Sequence, residues 1–204
     1  MVSKKLTFSS PSWQYIETLT VKLFKLLKNE FLPDIIAGIS RGGLIPARII
    51  SDLYLIEKQK PTLSVMQIGF YSGVGTTNKE PIVYQDLPGH IHGKKILLID
   101  DVADSGISID YALQYLNMKK PKEVRVATLY YKPWSKIKPH YYVEETSSWI
   151  IFPHERYEFM AEQMETKNLS TEEAKKFFLD ESGIPKYSVD HFFEVKSLKR
   201  QPKT

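Results

Sequence analysis

Between residues 33 and 132 short apolar runs alternate with stretches of helical periodicity, and this alternation restricts the chain to one architectural class. "PDIIAGIS" (33–40), "PTLSVMQIGFY" (61–71), "KKILLID" (94–100) and "EVRVATLYYK" (123–132) read as strands. "LIPARIISDLYL" (44–55) and "SIDYALQYLNMKK" (108–120) read as the helices between them. Strand–helix alternation packs as a mostly parallel, twisted sheet with helices on its faces, so the expected class is α/β. An opening helix starts at Ser10 or Ser12 and carries Trp13, Ile16, Leu19, Leu23, Leu26 and Leu27 at helical spacing to about Glu30. "HYYVEE" (140–145) and "SWIIF" (148–152) are further short strands, and residues 72–93 read as a polar loop.

From Pro153 onward the character changes to amphipathic helices. "HERYEFMAEQMETKN" is one, and "STEEAKKFFLDESG" opens with the capping box Ser170-x-x-Glu173 and stops at Gly183. "SVDHFFEVKSLK" forms a third, ahead of a basic tail. The expected division is therefore 1–157 as core and 158–204 as a helical extension.

The absence of cysteine excludes disulfides, thiolate metal sites and Cys nucleophiles. The five histidines show no zinc spacing. No apolar stretch reaches membrane-spanning length, so no membrane partner is expected. "MVSKKLTFSSPSW" lacks the apolar core of a secretory signal, and a cytoplasmic location is expected. The net charge of +4 lies largely in the terminal "KSLKRQPKT", too short a basic run to argue for nucleic acid.

The chemistry concentrates where the third strand ends. "KKILLIDDVADSGISID" (94–110) delivers Asp100 and Asp101 side by side to the carboxyl edge of the sheet, where open α/β sheets bind ligands. Adjacent carboxylates suit vicinal hydroxyls or a hydrated Mg²⁺. Asp104, Ser105, Gly106, Ile107 and Ser108 then open a helix with bare N–H groups, a glycine and two hydroxyls, the composition of a phosphate site. One junction thus offers a diol site and a monophosphate site about one ribose apart. An ordinary acidic loop with a serine cap is the plain alternative, and the full string argues against it.

This string resembles the phosphoribosyl-diphosphate (PRPP) motif of the type I phosphoribosyltransferases, with serines at 105 and 108 where threonine is usual and Ile107 in place of a frequent glycine. "GISRGGLIPA" (38–47) resembles the family's pyrophosphate loop, in which Ser40, Arg41, Gly42 and Gly43 meet the diphosphate. The family often carries a cis non-proline peptide here, and one is expected near Ser40–Arg41. "YYKPWSKIKPHYYVEETSSWIIFPHE" (130–155) resembles the base-binding end of xanthine–guanine enzymes and their archaeal relatives. That likeness implies Lys132 as a donor to the purine, Trp149 as its stacking face, Ile150 as a backbone reader and Glu155 as a metal-associated acid. Surface lysine and core tryptophan are the plain alternatives for Lys132 and Trp149. "FYSGVGTTNKEP" sits where relatives carry a flap, with Lys79 as its cation.

The resemblance implies a type I phosphoribosyltransferase fold with a small hood and a helical C-terminal appendage. It implies a salvage enzyme joining a purine base to PRPP, giving a nucleoside monophosphate and pyrophosphate with Mg²⁺, and a homodimer. Catalysis would rest on Asp104, Arg41 and Lys79. Asp104 either accepts the purine proton or only shapes the phosphate turn. Lys132 favours 6-oxopurines (hypoxanthine, guanine, xanthine), while adenine remains an alternative, as does a non-catalytic PRPP or nucleotide sensor. A generic dinucleotide-binding enzyme fails for want of G-x-G-x-x-G after the first strand.

Overall fold

The structure, a computed structural model, describes residues 7–72 and 79–198. The chain divides into two compact units, one of residues 14–146 and one of residues 1–13 with 147–204.

The larger unit is built on a six-stranded sheet. Its strands are β2 (Ile35–Ser40), β3 (Thr62–Ser72), β4 (Lys79–Gln85), β5 (Lys95–Ala103), β6 (Glu123–Tyr131) and β7 (Tyr141–Glu145), in the order β4-β3-β2-β5-β6-β7. All neighbours are parallel except β3 and β4. Strand β4 corrects the reading of 72–93 as loop throughout. "KEPIVYQ" mixes polar and apolar residues on both faces and carries a proline, so it lacks the apolar alternation of a buried strand, yet it serves as an antiparallel edge. The proposed flap residues 73–78 lie outside the described residues. Lys79 opens β4, and its side chain also lies outside them.

Alternation along β2 explains the layering. Ile35, Ala37 and Ile39 face a core shared with Ile109, Ala112 and Leu116 of α3 (Ile107–Met118). The intervening Gly38 meets α2 (Leu44–Ile56), where an added Cβ would stand 3.0 Å from Ala47 Cβ. Helix α1 (Trp13–Leu27) packs with α2 through Phe24 against Tyr54, ring centroids 5.0 Å apart, and Tyr54 Oη donates to Phe31 O at 2.7 Å. Burying Phe and Tyr faces of this kind contributes about 1.5–3 kcal/mol per side chain.

In the smaller unit β1 (Phe8–Ser9) pairs in parallel with β8 (Trp149–Ile150). Beside them lie α4 (Arg156–Thr166), α5 (Thr171–Lys176), a π-helical turn (Phe177–Glu181) and α6 (Lys186–Ser197). The capping box forms as expected: Glu173 N donates to Ser170 Oγ at 3.4 Å, and Ser170 N donates to Glu173 Oε2 at 2.9 Å. Ile151, Met160, Phe177, Phe178 and Val189 make the core of this unit. Arg156, 1% exposed, ties its parts together by donating to Pro11 O (2.5 Å), Tyr187 Oη (3.1 Å) and Ser188 Oγ (3.4 Å). No helix among the described residues is long and apolar enough to cross a membrane.

Candidate active site

From β2 the chain passes to β3 on one side and returns to β5 on the other, so the β2–β5 seam is where the strand order reverses. Ligand sites of open α/β sheets form outside the carboxyl ends of the strands at such a seam. Both motifs of the sequence reading emerge there: Ser40–Gly43 from β2, and Asp100–Ser108 from β5.

The Ser40–Arg41 peptide is cis, as expected. Two glycines after it are required by space rather than by backbone angle. A Cβ at Gly43 would overlap Ile99 O and lie 2.8 Å from Ile39 N and O, while one at Gly42 would overlap the Asp101 carboxylate. The first turn of this loop therefore lies flat on β5 and brings its backbone against Asp101. Gly43 N donates back to Ile39 O at 2.9 Å and starts α2.

Asp101 is buried and Asp100 half-buried, with Asp101 N donating to Asp100 Oδ1 at 3.0 Å. Burial, then the adjacent charge of Asp101, holds the Asp100 carboxyl well above the usual carboxylate range, while N–H groups of Asp101 and Gly43 pull the other way. A pair that resists double ionisation is relieved by a cation or by hydroxyl donors. The donor set suits Mg²⁺ in kind, being hard carboxylate oxygen. Among the described residues no three acidic or histidine side chains converge on one point, so the remaining positions around such an ion would come from water and substrate oxygens.

The turn from β5 into α3 is clamped from one side. Gly106 caps α3 with φ 77°, a left-handed angle, and a Cβ there would lie 2.6 Å from Ser135 Oγ and 2.8 Å from Ile137 N. Lys136 N donates to Ser105 O at 3.0 Å, and Lys136 Nζ pairs with Asp110 at 2.6 Å. Ser105 and Ile107 remain exposed at the helix N-terminus, with Ser108 half-buried, and the first N–H groups of a helix lack intrahelical partners. The arrangement can hold a phosphate over these N–H groups.

Lys132, 4% exposed, follows β6 and donates its N–H to Ala103 O at 3.0 Å. Burial pushes its ammonium below the usual lysine range, against a smaller opposing pull from Asp104. Asp104 is exposed, and its Oδ1 accepts the Trp134 indole N–H at 3.0 Å. The Lys132 Nζ lies 5.6 Å from the centre of the Trp134 ring. Trp134 is a residue that motif reading missed, although "YYKPWSK" displays it two positions beyond Lys132.

The larger unit thus brings together Ser40–Gly43, Asp100, Asp101, Asp104–Ser108 and Lys132. Trp149, Ile150 and Glu155 belong to the smaller unit. There Trp149 is 47% exposed and pairs in register with Phe8, Ile150 is buried beside Ser9, and Glu155 Oε1 accepts Phe152 N–H at 3.3 Å.

A model of the phosphoribosyl transferase domain matches residues 11–158, most of the chain. This chain belongs to that family. It is 36% identical over 123 residues to xanthine-guanine phosphoribosyltransferase of Gluconobacter oxydans, covering 58% of this chain and 66% of that protein. It is 32% identical over 94 residues to hypoxanthine-guanine phosphoribosyltransferase of Aquifex aeolicus, covering 46% and 51%. The chain thus spans between half and two thirds of these curated relatives. Among solved structures, purine phosphoribosyltransferase from Pyrococcus horikoshii superposes with a TM-score of 0.64 at 30% identity, covering 73% of this chain and 94% of that one. The type I phosphoribosyltransferase fold is thereby established.

Proposed function

We propose that this chain is a purine phosphoribosyltransferase of nucleotide salvage. It takes the 5-phosphoribosyl group from PRPP to a ring nitrogen of a purine base and releases pyrophosphate. The observation that carries the reading is that two glycine-bearing turns leave the carboxyl ends of the neighbouring strands β2 and β5, with the Gly42 backbone against Asp101 and the Gly106 turn opening α3. Phosphate of the pentose rests on Ser105–Ser108, its hydroxyls on Asp100 and Asp101, and the diphosphate on Ser40–Gly43. In the step itself the bond from C1 of the ribose to the diphosphate oxygen breaks, the electron pair leaves with pyrophosphate, and the base nitrogen bonds to C1. Arg41 and the loop N–H groups stabilise the departing charge, and the proton lost by the base passes to Asp104. Mg²⁺ held by the Asp100–Asp101 pair would offset diphosphate charge when bound.

The base is a 6-oxopurine in this reading. The Lys132 ammonium is a donor, which suits the O6 of hypoxanthine, guanine or xanthine, and the relatives named above act on those bases by name. Trp149, Ile150, Glu155 and Lys79 keep their proposed roles in base stacking, base-edge reading, metal association and diphosphate contact. The enzyme is proposed to be cytoplasmic and a homodimer, the latter tested by light scattering at micromolar concentration.

The deciding experiment offers PRPP and Mg²⁺ with hypoxanthine, guanine, xanthine and adenine in turn and measures pyrophosphate release. Turnover with a 6-oxopurine and little with adenine is the expected result. Tight PRPP binding with no release for any base would replace the reading with a non-catalytic sensor.

A further inference from the structure

At the opposite end of the same sheet lies a polar cavity of about 450 Å³, lined among others by Asp34, Gln59, Lys60, Gly93, Lys95 and Lys122. We propose that it binds a small anion carrying two or more phosphate groups, independently of the reaction assigned to the carboxyl edge.

The strand register puts the lysines side by side. Ile35 pairs with both Thr62 and Ile96, and Lys95 pairs with Glu123, so the residues just before these positions line the amino ends of β3, β2, β5 and β6. Four neighbouring strands span about 14 Å, the reach of a di- or triphosphate with its ammonium partners. Backbone hydrogen bonds hold the floor in place: Thr62 N to Asp34 O (2.9 Å), Asp34 N to Lys95 O (2.8 Å) and Lys122 N to Lys94 O (2.8 Å).

Charge balance separates this cavity from an ordinary lysine-rich surface. Among the described residues no salt bridge holds Lys60, Lys95 or Lys122. The one carboxylate in the lining, Asp34, is engaged by Lys95 N at 2.8 Å and lies 3.9 Å from Lys94 Nζ. Glu123, the acid beside Lys95 across the register, is bound by Arg125 Nε at 2.6 Å and feels the Lys95 charge more weakly. Lysines near helix C-termini ordinarily answer the helix dipole, but that effect is confined to the last turn. Helix α2 ends at Ile56 and α3 at Met118, so Lys60 and Lys122 each stand four residues beyond. Lys95 is on a strand, half-buried, its Nζ 5.8 Å from the Phe31 ring centre, which keeps its stem ordered. Three lysines thus line one concave space against the single carboxylate of Asp34, which leaves the lining with an excess of positive charge. A compact polyphosphorylated molecule meets the charge, the size and the polar lining together.

The probe is inorganic tripolyphosphate, followed through backbone amide NMR shifts of the full chain. Because the carboxyl edge is itself proposed to bind phosphates, the titration is repeated in a Ser105→Glu variant that obstructs that turn. Saturable shifts at Gln59, Lys60, Gly93, Lys95 and Lys122 are expected in both proteins. Lys60→Ala with Lys122→Ala, both exposed positions, should weaken this binding at least about tenfold, a change of roughly 1.4 kcal/mol. Shifts confined to residues 104–108 and lost in Ser105→Glu would overturn the proposal and leave the proposed function intact. So would equal shifts from sodium chloride at matched ionic strength, or tighter binding of a duplex oligonucleotide to the same lysines.

Discussion

Trp134 Nε1 donates to Asp104 Oδ1 at 3.0 Å, joining the loop after β6 to the turn after β5. Asp104 is the proposed proton acceptor, so Trp134 acts on the reaction by positioning it. Trp134→Phe keeps an aromatic ring near Lys132 and removes only the donor. A hydrogen bond to a charged group contributes about 1.5–3 kcal/mol, so kcat should fall roughly tenfold or more with KM for PRPP unchanged. In an Asp104→Ala background the same change should cost nothing further. Additive losses in the double variant would show that the two residues act separately.

The two loop glycines should fail differently when given a methyl group. At Gly43 the new Cβ meets backbone, Ile99 O and Ile39 N and O, which cannot move without shifting strands. At Gly42 the three nearest atoms all belong to the Asp101 carboxyl group, a side-chain end. Gly43→Ala should therefore lower stability by about 2 kcal/mol or more, as overpacking does. Gly42→Ala should leave urea unfolding nearly unchanged and raise KM for PRPP through a displaced carboxylate. Similar unfolding midpoints for the two variants would contradict this account.

Asp86 accepts from Leu87 N (2.7 Å) and Tyr115 Oη (3.1 Å) and pairs with Lys119. Burial pushes the Asp86 carboxyl up, but Lys119, Leu87 and Tyr115 outweigh it and leave it below its ordinary value. A depressed carboxylate contributes stability that is present above its unfolded value of about 3.9 and is lost as pH falls through the folded value. The pair is partly exposed, so Asp86→Asn should cost about 0.5–1 kcal/mol at neutral pH. Once pH has fallen below the folded value, the variant and the parent should unfold at the same urea concentration. A constant gap across that range would mean that the carboxylate charge is not the cause.

Arg156 uses both terminal nitrogens, one toward Pro11 O and the other toward Tyr187 and Ser188. Arg156→Lys offers a single ammonium and cannot reach both sides. It should destabilise the chain by about 3 kcal/mol, because at least one of the buried acceptors, Pro11 O and Ser188 Oγ, loses its donor. Calorimetry with full rescue by lysine would rule out the two-sided role.

Legibility in the sequence followed the range of the interactions. The strand Lys95–Ala103, its terminal acids and the helix at Ile107 are contiguous, so apolar patterning and a glycine at the junction expose them directly. Edge strand β4 escaped because its pairing partner, not its own pattern, makes it a strand. Trp134 escaped for a similar reason: its tie to Asp104 spans thirty residues and depends on how two loops meet.

What the chain's own order of residues determined is the α/β class, the two glycine-bearing turns and the acidic pair between them, since each follows from periodicity and composition within about fifteen neighbouring positions. Only the folded arrangement decided that Gly42 lies on Asp101, that Trp134 holds Asp104, and that Lys60, Lys95 and Lys122 share one cavity. Those relations join separate strands and loops, and sheet register, which local pattern does not specify across distant strands, is what sets them side by side.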